Sequence, residues 1–186
     1  MSPDDPSAPL AVVTGAAHRL GRSIAMELAQ QGYAIGLHYY HSNEAAMQTA
    51  ADLRAAGAVV ELIQADLTRP EQIEGLFEQT DALKRPLKVL VNAAGVMSHA
   101  DLRTLTVEEW DAVMALNLRA PWLCARAAAL RMPAGGVIVN LVDSGIRKTW
   151  SSYPVYSIVK PVWIHLPAFW QKRWDLIFGS MPLHRD

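Results

Sequence analysis

The sequence predicts an α/β fold, a Rossmann-type doubly wound parallel sheet that is incomplete at its C-terminus. Three observations carry this expectation. Short apolar runs alternate with segments of helical period, those segments are long enough to be crossovers, and a glycine-bearing turn follows the first run. Residues 1–9 hold three prolines and two aspartates with little to bury, so they read as a disordered N-terminal arm. Order is expected from Leu10. The elements then run strand Leu10–Thr14, helix Leu20–Gln31, strand Tyr33–Tyr39, helix Asn43–Ala56, strand Val59–Gln64 and helix Pro70–Leu83. Strand Val89–Asn92, helix Val107–Leu130 and strand Gly136–Leu141 follow, making residues 10–160 one domain. Gly32, Gly57 and the Gly135–Gly136 pair stand where helices should stop.

Composition narrows the classes of function. The 186 residues carry 17 Lys and Arg against 18 Asp and Glu, a net charge of −1, which offers no footprint for nucleic acid or an anionic membrane. The single cysteine, Cys124, excludes an internal disulfide and a cysteine-rich metal site, and His38 and His41 have no cysteine or carboxylate cluster that would suggest zinc. No apolar run approaches ~18 residues, and the first residues lack a basic and apolar leader pattern, so the expectation is a cytoplasmic chain with no membrane partner.

Thr14-Gly15-Ala16-Ala17-His18-Arg19-Leu20-Gly21 lies between the first strand and the first helix, where a doubly wound fold seats a dinucleotide pyrophosphate. Glycine allows close backbone approach there, and the helix N-terminus adds amide donors and positive potential. A ligand-free strand-to-helix turn would read the same way taken alone.

Four further motifs follow in order: Ala65-Asp66-Leu67 after the third strand, Asn92-Ala93-Ala94-Gly95 after the fourth, Asn117 in the long helix, and Tyr156-Ser-Ile-Val-Lys160. With the loop they cover residues 10–160, and the chain resembles the short-chain dehydrogenase/reductase family, in particular its pteridine-reductase-type branch. Arg19 stands where the wider family has its middle glycine, as in that branch. The resemblance implies an NADP-binding Rossmann domain, an NADPH-dependent reductase of a small carbonyl or imine, and a homo-oligomer. The rival expectation is a non-catalytic NADPH-binding remnant.

An enzyme of this architecture that uses NAD needs a carboxylate at the end of the second strand, roughly 20 residues past the loop. That stretch reads His38-Tyr39-Tyr40-His41-Ser42, without an acid. Arg19 can meet a 2′-phosphate and His41 and Ser42 can add donors, so NADPH (NADP) is the expected cofactor. The two histidines can equally be solvated imidazoles at a strand end. The cofactor-binding candidates are Gly15, Arg19, Leu20, Gly21, His38, His41, Ser42, Asp66, Asn92, Ala93 and Gly95. Asp66 either accepts from an adenine amino group or caps the next turn. Asn92 to Gly95 end a buried strand at the crevice with small side chains.

The catalytic candidates are Asn117, Asp143, Tyr156 and Lys160. Tyr156 and Lys160, four apart, share a helix face, and an ammonium beside a phenol favours the phenolate. By resemblance Tyr156 gives the proton, Lys160 also binds the nicotinamide ribose, and Asn117 kinks the long helix and holds a water that feeds the lysine. The family's usual serine, three residues beyond an asparagine, is replaced by Asp143 counting from Asn140, again as in the pteridine-reductase-type branch. Ser144 is one residue out of register. Val96-Met97-Ser98-His99 lacks the aromatic ring that this branch stacks on a pterin, so a pterin or dihydrofolate and another small substrate both stay open.

After Lys160 the character changes. Residues 161–186 hold three of six tryptophans and two of three phenylalanines without a clean period, and Pro161 would break a helix through Tyr156. The tail is expected to be aberrant, the product of a single-base deletion after codon 160. Taking the third base of each codon with the first two of the next forces Asp from Trp163–Ile164, Leu from Phe169–Trp170, Ala from Trp170–Gln171, Gly from Trp174–Asp175 and Ala from Met181–Pro182. With free choices elsewhere that frame resembles the family's continuation. The expectation is a truncated or frameshifted chain without a sixth strand, impaired in turnover and in dimer formation.

Overall fold

The computed structural model describes residues 7–132, 135–143, 150–165 and 175–181. Within them a six-stranded parallel sheet has the order β3-β2-β1-β4-β5-β6, with β1 Leu10–Thr14, β2 Ala34–Tyr39, β3 Val60–Gln64, β4 Leu87–Asn92, β5 Val137–Asp143 and β6 Asp175–Met181. The crossovers are α1 Arg19–Gln30, α2 Asn43–Ala55, α3 Pro70–Ala82, and α4 Val107–Met114 continued by α5 Ala120–Arg131, with α6 Pro154–His165 before β6.

Alternation along β1 divides the core between the two faces. Leu10 and Val12 join Phe77, Leu90, Cys124 and Ile138 on one side, while Ala11 and Val13 join Ile35, Leu37, Leu53 and Val91 on the other. The whole of β1 is buried, as a strand covered on both faces must be. Cys124 lies in that core, and burial pushes its thiol up to about 12, which leaves it unreactive. Gly32 and Gly57 take φ of 89° and 88° where α1 and α2 end, the left-handed stop the sequence anticipated.

Three expectations change. Order begins before Leu10: Ala8 is buried and the Pro9 carbonyl accepts from Ala34 N at 2.9 Å, while residues 1–6 of the expected arm lie outside the described residues. The single helix over 107–130 is interrupted by a π-helical turn, Ala115–Arg119. Pro121 supplies the reason. It has no N–H for the Asn117 carbonyl, so the ladder slips and Ala120 N bonds Ala115 O instead. The third change concerns the tail. Helix α6 runs through Pro161 to His165, and Asp175–Met181 pairs with β5 from Val137↔Asp175 to Asp143↔Met181, so the sheet has its sixth strand. The apolar run Leu176-Ile177-Phe178 suits a strand beside β5, and it is too short for its period to be read from sequence. Residues 166–174 and 182–186 of the tail lie outside the described residues.

Candidate active site

Strand order reverses between β1 and β4, where Thr14 and Asn92 are register partners. Ligands of open α/β sheets bind in the crevice at such a point. Here a cleft of about 360 Å³ runs from Gly15, Arg19, Leu20 and Gly21 past Ala93 and Gly95 to Asn117, Asp143, Tyr156 and Lys160. One continuous cleft therefore joins the loop to the tyrosine and lysine.

Close packing explains the small residues at the loop. A Cβ on Gly15 would stand 2.9 Å from Ala94 Cα, and one on Gly21 would meet the Gly15 carbonyl oxygen. Thr14, which the sequence reading passed over, fastens the two loops: its hydroxyl oxygen accepts from Ala93 N and Ala94 N, both at 3.0 Å. Arg19 is exposed with φ of 51°, so it occupies the left-handed backbone that a glycine would take without strain.

The structure places the remaining loop candidates differently. His38 lines the cleft but is 2% exposed. Its Nδ1 accepts from Gly15 N and its Nε2 faces the Ala65 carbonyl, both at 3.0 Å. It is not a solvated imidazole. Burial lowers its pKa to about 4 against the raising effect of Ala65. His41 is exposed and packs on the Tyr40 ring, Ser42 precedes α2, and neither lines the cleft, whereas Tyr40 does. Asp66 Oδ1 accepts from Thr68 N at 2.9 Å and from the Thr68 hydroxyl at 2.7 Å, the turn-capping alternative. Burial raises the Asp66 carboxyl, but hydrogen bonds from Thr68 and from the Tyr40 hydroxyl outweigh that and leave it below its ordinary value. Asn92 spends its amide on Asn140 Oδ1 at 2.8 Å and the Pro121 carbonyl at 3.3 Å, tying β4 to β5 and α5.

At the other end, Asp143 closes β5 and its Oδ2 accepts from the Tyr156 hydroxyl at 3.3 Å. Lys160 Nζ donates to the Leu141 carbonyl at 3.2 Å and lies 5.5 Å from the Tyr156 ring centroid. The phenol does not shift as a lysine neighbour alone would make it. Burial, then the Asp143 charge and hydrogen bond, raise the Tyr156 pKa. Burial lowers Lys160 to about 8, against the pull of Asp143. Trp150 lies parallel to the Tyr156 ring at 6.5 Å between centroids, a neighbour with no sequence signal of its own. Ser144 lies outside the described residues.

Asn117 is fully buried in the π turn, its amide closed on Val96 N, Val96 O and Val113 O. A Cβ on Gly95 would stand 2.8 Å from Asn117 Oδ1 and 3.7 Å from Lys160 Nζ, so glycine lets the three meet. The Asn117 carbonyl, released by Pro121, accepts from Trp163 Nε1 at 2.8 Å. That bond and the burial of Trp163 anchor α6 beyond Pro161, which explains why the helix continues past it.

The donor set suits an NADP-type dinucleotide at this cleft: helix amides and glycine backbone for the pyrophosphate, an exposed guanidinium for a 2′-phosphate, and small residues where a nicotinamide would lie. Comparison with known proteins agrees with this architecture. Residues 9–173 match the family model described as short chain dehydrogenase. A "Short-chain type dehydrogenase/reductase" of Picea abies is 32% identical over 161 residues, 81% of this chain and 59% of that protein, so the chain spans about three-fifths of that curated relative. A dehydrogenase/reductase structure from Sinorhizobium meliloti 1021 superposes with a TM-score of 0.85 at 30% identity, over 94% of this chain and 72% of that one. A short chain dehydrogenase from Burkholderia cenocepacia J2315 in complex with NADP superposes with a TM-score of 0.84 at 27% identity, over 95% of this chain and 74% of that one.

Proposed function

The chain belongs to the short-chain dehydrogenase/reductase family, and from that premise we propose that it is an NADPH-dependent reductase acting on a small carbonyl or imine. The observation that carries the proposal is the single cleft linking the glycine loop to Tyr156, Lys160 and Asp143. NADPH, when bound, supplies the hydride. Gly15, Leu20, Gly21, Ala93 and Gly95 form the backbone surface it lies on, and Arg19 meets its 2′-phosphate. Tyr156, kept protonated by burial and by Asp143, donates its hydroxyl proton to the substrate oxygen or nitrogen as hydride arrives at the neighbouring carbon. The Lys160 ammonium, 5.5 Å from the Tyr156 ring centroid, stabilises the phenolate left behind, and from its place in the cleft it would bind the nicotinamide ribose. Asp143, whose Oδ2 accepts from the same hydroxyl, orients the proton donor, and after turnover it can pass on to the phenolate a proton taken from solvent water.

Arg19 at the loop and Asp143 in the serine position favour the pteridine-reductase-type branch, with a pterin or dihydrofolate as the first substrate to try and other small carbonyls second. The test follows NADPH absorbance across ketones, quinones and pterins. Oxidation with at least one class is expected; a flat trace throughout with the cofactor bound would select the non-catalytic remnant instead.

The homo-oligomer is supported by exposed Trp122 on α5 and by Ile158 and Val162 on α6, and a single-subunit mass in solution would oppose it. Among the described residues no helix is long and apolar enough to cross a membrane. The single-base-deletion reading of residues 161–186 is tested by the nucleotide sequence after codon 160.

A further inference from the structure

The dinucleotide loop begins with two amides that are both taken up by His38. Gly15 N donates to His38 Nδ1 at 3.0 Å, and Ala16 N donates to the His38 backbone carbonyl at 2.9 Å. On its other side the imidazole reaches the Ala65 carbonyl through Nε2 at 3.0 Å. These partners define the ring. A carbonyl oxygen only accepts, so Nε2 carries the hydrogen; an amide N–H only donates, so Nδ1 presents its lone pair. With both nitrogens engaged and the side chain 2% exposed, His38 has no donor left for a 2′-phosphate.

We propose that His38 is the positioning residue of the dinucleotide loop: its ring holds the Gly15 amide beside the Ala16 amide that the residue's backbone carbonyl already takes, so that the amides of Arg19, Leu20 and Gly21 are the ones presented to the pyrophosphate. Three physical points support this. The first amides of a helix have no intrahelical partner, and in α1 the first such bond is Arg22 N to His18 O at 3.2 Å. Gly15 holds φ of 65°, a conformation that needs an outside partner to select it from the many open to glycine. The same ring bonds the end of β3, so it locks the loop to the sheet as well as to β2. The inference rests on reading the loop as a dinucleotide cradle.

Two substitutions in the full chain divide the two faces of the ring. His38→Asn retains an acceptor near the Nδ1 position, and His38→Gln retains a donor near the Nε2 position but leaves Gly15 N–H without an acceptor. Site-resolved hydrogen exchange of the Gly15 amide and equilibrium binding of NADPH and NADH are the readouts. In H38Q the Gly15 amide is expected to exchange faster, and both dinucleotides to weaken together by about tenfold, the scale of one hydrogen bond. H38N should stay within about threefold of the parent for both. If H38Q weakened NADPH but not NADH, or if Gly15 exchange were the same in all three chains, the proposal would be overturned. The ring itself gives a check that needs no variant. Nitrogen chemical shifts of His38 at neutral pH should report the Nε2–H tautomer, and a doubly protonated or Nδ1–H ring would contradict it. Should the parent chain bind neither dinucleotide, the cradle reading fails, while exchange and tautomer still decide whether His38 anchors the loop.

Discussion

The two ends of the cleft are built for different tasks. At the loop, Gly15 and Ala16 donate to His38 while Thr14 accepts from Ala93 and Ala94, all through bonds of 2.9 to 3.0 Å, giving a fixed set of dipoles in which burial lowers His38 to about 4. At the reacting centre the contacts are longer, 3.3 Å from Tyr156 to Asp143 and 3.2 Å from Lys160 to Leu141 O, and two pKa values are moved in opposite directions. A site that holds a charged ligand gains from fixed donors, whereas one that passes a proton needs groups whose protonation can change. The difference teaches that binding and turnover should be separable by mutation.

The largest effect is expected at the loop. Gly21→Ala would drive a methyl into the Gly15 carbonyl, forcing α1 off the turn; cofactor affinity should fall at least about 100-fold, or the chain should fail to fold. Gly75→Ala, inside α3 with nothing within 4 Å of its Cβ, is the control and should raise stability by about 0.5–1 kcal/mol in thermal unfolding. Asp143→Asn should lower kcat by about 10- to 100-fold with NADPH affinity unchanged, which rapid kinetics and fluorescence titration can separate.

Arg19→Gly sharpens the comparison within the loop. It removes the guanidinium and relieves a left-handed residue at once, so the unfolding midpoint should rise by the equivalent of about 1 kcal/mol. NADPH should weaken about tenfold with NADH unchanged. Equal loss of both cofactors would show that Arg19 does not meet the 2′-phosphate.

Protonation separates the ends as well. His38 is held at about 4 in the folded chain against 6.5 when unfolded, so between these values the unfolded chain binds the extra proton. Its contribution is complete above about 6.5 and lost as pH falls towards about 4, about 3 kcal/mol at most by pKa difference, and H38N should flatten that slope in denaturant titrations. At the other end, Lys160 at about 8 loses its charge as pH rises through that value. The reduction rate should decline up to tenfold per unit above it, and a rate constant up to pH 10 would refute the role given to the ammonium.

Much of this was legible in the sequence. Strands β1 to β5 fall within two residues of their expected places, because runs buried on both faces and glycine stops are local signals. The sequence also led to the cleft, since its motifs sit at the ends of those strands. Three things were not legible for physical reasons. The π turn depended on Pro121, four residues past Asn117, whose missing donor acts only once a helix has formed. The roles of His38, Asp66 and Asn92 depended on which backbone groups the sheet brings beside them. The continuation of α6 past Pro161 is not legible because a proline weakens a helix in isolation, while the tertiary bond from Trp163 to the Asn117 carbonyl is invisible to any local rule.

The central claim is that Tyr156 delivers the proton in a cleft whose other end holds NADPH. The most direct test is a single-turnover measurement of NADPH oxidation, with a substrate found active in the screen, for the parent chain and Tyr156→Phe after both have been titrated with the cofactor. We expect equal NADPH affinity and a hydride-transfer rate at least about 1,000-fold lower in the variant. Equal oxidation by the two chains would contradict the account.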